Sequence, residues 1–275
     1  MTAIAIELPE EVRLASDGIV AFAEQEVMPR HAKLADLFED PTRLYDSAGR
    51  FSNELIAVIT EVRMASAQAG FFSMCVPQAL GGAGLGHLAY YVAWEALFHR
   101  CGPKNWLMLY ALAHWAFGPS KLLEQIGDRA KAEFLPDLIS GKKSMCFGLT
   151  EPDAGSDLGG LGCKAVLDGD EWVINGEKHY ISGAGDPHCK IMITMVVTNP
   201  DAPKHLRQSQ ILVPLEHPGV EVLRPMYVFG KDDAPHGHMH IKFDNVRVPK
   251  ENIILGEGRG FEISQGRLGP GRIHH

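Results

Sequence analysis

The chain changes character at the segment CFGLTEPDAGSD, residues 146–157. Before it, apolar residues recur at helical spacing, and from about residue 144 onward β-branched residues, short alternations and turn dipeptides take over. The segment offers a hydroxyl at Thr150 and a glycine–serine pair, Gly155 and Ser156, that can bring backbone N–H groups and a second hydroxyl to an anion. Junctions between domains are common ligand sites. The residues therefore indicate a binding loop, with an ordinary interdomain turn as the alternative.

The first half of the chain is typical of a helical domain. Apolar residues such as Val12, Ile19 and Val27 recur on one face between Pro9 and about Leu37. Polar residues 39–50 predict a loop, and Ser52 is a candidate N-cap for the next helix. The same patterns predict helices over 88–99, 105–117, 119–126 and, capped by Asp128, up to Ile139.

The second half is typical of a compact antiparallel β domain, either a sandwich or a barrel. A hairpin is predicted over 164–174, with its turn at 168–170, and Asn175-Gly176 predicts a second tight turn. Further strands are predicted over 191–198, 210–214, 220–223 and 238–243, and helical spacing resumes near Gly260. We therefore predict an α+β multidomain chain: a helical domain over 1–143, the β domain over 144–255 and the start of a C-terminal helical domain over 256–275.

Composition excludes several classes of function. The chain has 275 residues, with 26 Lys and Arg against 34 Asp and Glu, so a formal charge of −8 argues against nucleic-acid binding. Its five cysteines are scattered without a C-x-x-C pair, which argues against a disulfide framework or structural zinc. The N-terminus has no secretory signal, and the most apolar stretch, residues 106–117, is too short to span a bilayer. We expect a cytoplasmic protein without membrane insertion.

One possible metal motif is present. His236, His238 and His240 alternate, so that in a strand they would share one face. No set of acids and histidines with the usual ligand spacing accompanies them, and isolated surface or barrel histidines are the more common case. We therefore predict no metal site.

Five blocks, in order, resemble the acyl-CoA dehydrogenase family. Residues 146–157 resemble its flavin-binding signature. The other blocks are VPQALGGAGLG (76–86), FLPDLISG (134–141), WVINGEKHYISG (172–183), and FDNVRVP (243–249) followed by GEGRGF (256–261). The last ten residues, GRLGPGRIHH, resemble the branch that contains family members 10 and 11.

The resemblance implies bound FAD, which in this family lies between the β domain and the C-terminal helices. Thr150 would hydrogen-bond the pyrimidine edge of the flavin, and Ser182 would lie near its N5 and O4 atoms. Ser156 would contact both the flavin phosphates and the acyl-CoA. Tyr180 stands where relatives often carry tryptophan, a departure that any large aromatic can accommodate by stacking. The full set of implied FAD-binding residues is Phe147, Leu149, Thr150, Gly155, Ser156, Tyr180 and Ser182.

The resemblance also implies a reaction, the α,β-dehydrogenation of an acyl-CoA thioester with electrons passed to electron-transfer flavoprotein. The base comes from the third, helical domain in this family, so we expect no catalytic base among these 275 residues; Glu151 would be structural. Arg272 matches an arginine that positions the catalytic carboxylate, although a solvated helix charge explains it equally well. A homodimer or homotetramer is expected. An oxygen-using relative, such as an acyl-CoA oxidase or nitroalkane oxidase, and a non-catalytic interaction subunit remain alternatives.

Overall fold

Helices occupy the first half of the chain, as the sequence predicts. The computed structural model describes residues 7–102, 104–114, 118–228, 231–232 and 237–274. Ser52 caps its helix as predicted, because its hydroxyl oxygen accepts from the Leu55 backbone N–H at 3.3 Å. The helices are α1 (Glu10–Phe22), α2 (Met28–Lys33), α3 (Ala35–Glu39), α4 (Asn53–Gln68), α5 (Gly86–Cys101), α6 (Asp128–Ile139) and, after the β domain, α7 (Gly260–His274).

Some helical predictions need correction. The span expected to be one helix from Pro9 is divided by a π-helical turn at Ala23–Val27. Within the regions expected to be helices over 105–117 and 119–126, the described residues form 3₁₀ turns at Trp106–Tyr110 and Lys121–Gln125. The apolar residues of these turns are buried or half-buried, so their spacing reflects burial in the core and not a helical repeat. Gly127, rather than Asp128, holds the cap position of α6.

The β domain is a seven-stranded sheet in the order β1-β4-β2-β3-β9-β6, with β5 paired to the other edge of β4. Most neighbours are antiparallel, as predicted, but β4 is parallel to both β1 and β2. A separate two-stranded ribbon pairs β7 with β8. The strands are β1 (Ser144–Gly148), β2 (Lys164–Asp168), β3 (Glu171–Ile181), β4 (Cys189–Val197), β5 (Gln208–Pro214), β6 (Val220–Pro225), β7 (Tyr227–Val228), β8 (Lys231–Asp232) and β9 (Met239–Pro249).

The tight turn predicted at Asn175-Gly176 is wrong. Strand β3 runs through both residues, and the pairing with β9 shifts register between Ile174 and Gly176, which marks a β-bulge. Gly176 has a φ of +142°, and a Cβ at this position would lie 2.7 Å from the Cα of Cys163. The glycine is therefore needed within β3 because the backbone at Cys163, just before β2, passes close to this position.

The helices and the sheet share a core. One buried cluster joins Phe72 and Phe134 of the helical part to Ile191, Ile193 and other residues of the sheet. At the same seam, Arg63 of α4 donates to Asp186 after β3 at 2.9 Å, and both side chains are buried. Asp186 also accepts from the Ser144 hydroxyl at the start of β1. This seam joins the helical part to the sheet.

The first turns of α7 lie against β5. The amide of Gln210 donates to the Gly260 carbonyl at 3.1 Å and to the Ser264 hydroxyl at 2.9 Å. The predicted fold class, helical then β then the start of a helical unit, is thus confirmed, while the boundaries at residues 143 and 255 stay predictions. No helix within the described ranges is both long and apolar enough to cross a lipid bilayer.

Candidate functional site

The end of β1 lies beside β3, and this contact positions two of the residues predicted to bind flavin. The Thr150 carbonyl accepts from the His179 N–H at 2.9 Å, and the Thr150 hydroxyl donates to the His179 carbonyl. The Lys178 ammonium donates to the Leu149 carbonyl at 3.1 Å. Leu149 and Thr150 therefore lie next to residues 178–180, although the two segments are far apart in sequence.

A buried ion pair between Lys178 and Glu151 adjoins this segment. The Lys178 ammonium lies 2.7 Å from a Glu151 carboxylate oxygen, and their side chains are 0% and 8% exposed. The same carboxylate accepts from the backbone N–H groups of Gly162 and Cys163. A buried carboxylate whose oxygens are bonded in this way has a structural role. The geometry supports the expectation that Glu151 is structural and not a base.

Tyr180 has an unusual backbone conformation. Its φ is +55°, in the left-handed region that a bulky side chain rarely adopts, and the pairing of β3 with β9 shifts register between Lys178 and Ile181. The ring is 43% exposed, packs edge-on against His179 at 4.7 Å between centroids, and its hydroxyl donates to the Tyr227 carbonyl. Tyr180 therefore has a partly exposed aromatic side chain and directly follows His179, whose backbone bonds Thr150.

Ser182 follows directly after β3 and has a side-chain partner across the sheet. Its hydroxyl oxygen lies 2.7 Å from Nδ1 of His238, and both residues are half-buried. The His238 ring also packs edge-on against Tyr180, at 6.4 Å between centroids. Sequence analysis treated His238 only as a possible metal ligand, and this contact was missed because nothing local in the sequence relates residue 238 to residue 182.

Gly155 and Ser156 lie on an exposed turn beyond Glu151. The turn is closed by two backbone bonds between Glu151 and Ala154, at 3.0 and 3.2 Å. A Cβ at Gly155 would meet nothing within 4 Å, so this glycine faces open space and does not accommodate a neighbouring protein atom. An open turn of this kind leaves its backbone N–H groups and hydroxyl accessible to an anion.

Phe147 is half-buried, and its ring contacts a residue that sequence analysis did not consider. The guanidinium carbon of Arg267, on α7, lies 3.9 Å from the centre of the Phe147 ring. Burial lowers the pKa of Arg267 to about 9, so the group remains a cation at neutral pH. The available signal was an arginine beside the apolar and small residues 268–271 of α7. Arg272, for which a positioning role was predicted, lies on the exposed face of the same helix.

The other described histidine of the alternating run, His240, has a different partner from His238. His240 Nε2 lies 2.8 Å from a carboxylate oxygen of Glu177, whereas His236 lies outside the described residues. Burial lowers the pKa of the adjacent His179, and the positive charges of His240 and Arg224 act in the same direction. Among the residues that the structure describes, no three His, Cys, Asp or Glu side chains are grouped as metal ligands.

Comparison with known proteins gives the family. The model of the acyl-CoA dehydrogenase N-terminal domain matches residues 9–142, and that of the acyl-CoA dehydrogenase middle domain matches residues 146–246. The chain therefore belongs to the acyl-CoA dehydrogenase family. It is 38% identical over 280 aligned residues to acyl-CoA dehydrogenase family member 10 of Mus musculus, covering 98% of this chain. It is 52% identical over 151 residues to family member 11 of Gallus gallus, covering 54% of this chain.

Solved structures agree with this assignment. A protein of Mycobacterium abscessus described as an acyl-CoA dehydrogenase superposes with a TM-score of 0.80 at 30% identity, covering 98% of this chain and 66% of that chain. The acyl-CoA dehydrogenase of Geobacillus kaustophilus shares the fold with a TM-score of 0.74 at 23% identity, covering 98% and 64%. The chain spans 25% of the mouse family member 10 and 19% of the chicken family member 11.

Proposed function

We propose that this chain forms the flavin-binding part of an enzyme that dehydrogenates acyl-CoA thioesters with FAD. The single observation that carries the proposal is the convergence of Thr150, Tyr180 and Ser182 where β1 and β3 end. Their proximity depends on the pairing of Thr150 with His179 and on the strained backbone of Tyr180. Strained backbone that persists in a well-packed region is characteristic of functional sites.

The residues fit a flavin chemically. A flavin needs a planar aromatic neighbour and polar groups along one edge, and its phosphates need donors on an accessible loop. Tyr180 supplies a partly exposed aromatic ring, and Thr150 and Ser182 supply half-buried hydroxyls where β1 and β3 end. Gly155 and Ser156 supply the open turn. These assignments follow the family resemblance residue by residue.

Bound FAD would supply the hydride acceptor for the reaction. The chain's own residues would orient it: Thr150 and Ser182 through their hydroxyls, Tyr180 by covering its ring. Ser156 would also bind the acyl-CoA. Glu151 does not serve as the base in this proposal, because its carboxylate is saturated by Lys178 and two backbone N–H groups. We assign the base to the third helical domain of the family, with Arg272 as a candidate to position it.

Two partners complete the proposal. Electron-transfer flavoprotein is proposed as the acceptor of the electrons, and a homodimer or homotetramer as the assembly. Family membership supports both. A flavoenzyme that uses oxygen instead would also need to bind FAD, so the electron acceptor has to be measured directly.

The test is a titration of the purified chain with FAD, followed by flavin fluorescence. We expect saturable binding and a lower affinity for Tyr180→Ala. The control is Phe98→Ala on α5, because Phe98 is 44% exposed and thus matches Tyr180 in kind and exposure, but lies on a helix outside the proposed site. Equal FAD affinity in both variants would reject the proposed position of the flavin ring. A chain that binds no FAD would instead favour the non-catalytic alternative.

A further inference from the structure

The histidine run 236–240 contains one residue whose surroundings relate it to the flavin site. The His240 side chain pairs with Glu177, whereas the His238 side chain contacts Ser182, the residue proposed to lie near flavin N5. The two described histidines therefore have different partners, although their alternation first suggested a shared metal site. What His238 does to Ser182 depends on how firmly it is held and on which atom carries the proton.

The backbone around His238 is firmly held. Its carbonyl accepts from the Met226 N–H at 2.8 Å, and the carbonyl of the preceding Gly237 accepts from the Gly185 N–H at 3.2 Å. Gly237 has a φ of +54°, and a Cβ there would lie 3.1 Å from the Cα of Gly185. This close approach of two glycines brings the segment before β9 against the loop after β3. His238 and Ser182 consequently face each other just beyond the Ile181–Met239 pair.

The direction of the bond between Ser182 and His238 determines what the serine can offer a ligand. A serine hydroxyl has one proton and two acceptor lone pairs. If it donates to Nδ1, its only proton is used within the protein. If instead Nδ1–H donates to the hydroxyl oxygen, the serine proton is available to an acceptor in the site. A distance of 2.7 Å suits either direction, so the tautomer of His238 decides between them.

We propose that His238 is a positioning residue that donates through Nδ1–H to Ser182 and thereby directs the serine proton into the flavin site. The inference rests on the proposed function. The N5 atom of oxidised flavin is a hydrogen-bond acceptor, whereas N5 of reduced flavin carries a proton. A directed serine donor therefore stabilises the oxidised form selectively. Loss of His238 allows the serine to rotate and removes that preference.

The experiment measures the reduction equilibrium of FAD bound to the 275-residue chain, against a reference dye, in variants at the two positions. We expect His238→Leu to shift the equilibrium about tenfold toward reduced flavin, or about 30 mV for a two-electron couple. His238→Asn keeps an N–H donor close to the position of Nδ1 and should restore most of the original value. Ser182→Ala should reproduce the shift, and the double variant should show no further change, because both substitutions remove one coupled unit.

His240→Leu is the matched control. It removes a histidine two residues away that is bonded to Glu177, and it should leave the reduction equilibrium unchanged. An equal shift in His240→Leu, or additive shifts in the double variant, would overturn the positioning role while leaving the proposed function intact. Absence of any shift in His238→Leu would do the same. Failure of the unsubstituted chain to bind FAD, measured first, would reject the proposed function and this inference together.

Discussion

Two buried ion pairs in this chain resemble each other in chemistry and differ in what they connect. Arg63 and Asp186 lie 2.9 Å apart with side chains 5% and 2% exposed; Lys178 and Glu151 lie 2.7 Å apart with 0% and 8% exposed. Each carboxylate also accepts from other donors. The first pair joins α4 to the loop after β3, whereas the second joins β3 to the segment that follows β1.

Because the two pairs connect different elements, we expect one to affect stability alone and the other to affect FAD binding as well. The Arg63–Asp186 pair fastens the helical part to the sheet, so its loss should be felt as unfolding of the whole chain. The Lys178–Glu151 pair lies beneath Leu149 and Thr150, so its loss should also disturb the proposed flavin site. Breaking one partner of a buried pair leaves an uncompensated charge, which is the large term in both cases.

The substitution Arg63→Met is expected to have the largest effect on stability. Asp186 would remain buried without its cation, and we expect the free energy of unfolding to fall by about 4 kcal/mol. Urea denaturation followed by circular dichroism measures the change. The double variant Arg63→Met, Asp186→Leu should recover part of the loss, because it removes the unpaired charge. A loss below about 1 kcal/mol would mean that the seam is fastened by apolar packing alone.

Lys178→Met should lower the free energy of unfolding by about 3 kcal/mol, somewhat less because the turn beyond Glu151 is exposed and can relax. Unlike Arg63→Met, it should also weaken FAD binding, since Leu149 and Thr150 lose their support. The informative measurement is the pair of quantities, unfolding midpoint and FAD dissociation constant, in both variants. Weakened FAD binding in both or in neither would remove the distinction between the two ion pairs.

Thr150→Val should act on binding with little effect on folding. The substitution removes the hydroxyl that we propose as a partner of the pyrimidine edge and that donates to the His179 carbonyl in this structure. We expect FAD binding to weaken by about 1–3 kcal/mol. Thr198→Val is a suitable control, because the Thr198 hydroxyl is likewise bonded within the sheet, to Ser209 at 2.7 Å. Unchanged FAD affinity in Thr150→Val would exclude this hydroxyl from the flavin site.

A smaller effect should appear as pH dependence at the seam. Burial lowers the pKa of His188, with Lys143 and Arg63 acting in the same direction and Asp186 opposing them. Because the unfolded chain binds the proton more readily, stability is complete above the ordinary histidine value of about 6.5 and is lost as pH falls below it. The loss between pH 7 and 5, measured by urea denaturation, should be smaller in His188→Asn. A steeper loss in that variant would contradict the sign.

The smallest effect is expected for an ion pair on the surface. Arg129 of α6 lies 2.9 Å from Glu251, a distance equal to that of the Arg63–Asp186 pair, but both side chains are largely exposed. Solvent screens such a pair, and Arg129→Met should leave the unfolding midpoint within experimental repeatability. A measurable loss here would show that burial is not what distinguishes the two internal pairs.

The fold could be predicted further from sequence than the site. Periodicity and turn dipeptides located α1, α4, α5, α6 and the β2–β3 hairpin, because these elements are encoded by neighbouring residues. They failed at Gly176, where a glycine in a bulge has the same local sequence as a glycine in a hairpin turn. They also failed over 105–114, where burial on all sides imitates a helical pattern.

The residues of the candidate site were predicted from the family resemblance, but the contacts between them were not predicted. The seven predicted flavin residues remain predictions, but their neighbours are now visible. The contact of Lys178 with Glu151 and that of His238 with Ser182 each join residues far apart in sequence. These contacts depend on the register of the sheet, which a single sequence does not reveal. Arg267 escaped for a similar reason, since its contact with Phe147 depends on how α7 lies against the sheet.

The pairing of β3 with β9 also has a kinetic consequence. Glu171 pairs with Pro249 and Ile181 with Met239, so this register forms only after the chain between them has been brought together. Contacts between residues distant in sequence have a larger loop-closure entropy cost and form more slowly. The contacts of the β2–β3 hairpin, by contrast, are local. We therefore expect the hairpin to form early and, within the β3–β9 pairing, the end at Ser182 and His238 to form before the end at Glu171 and Pro249, because it closes the shorter loop. The polar contact nearest the proposed flavin would then form before the sheet is complete.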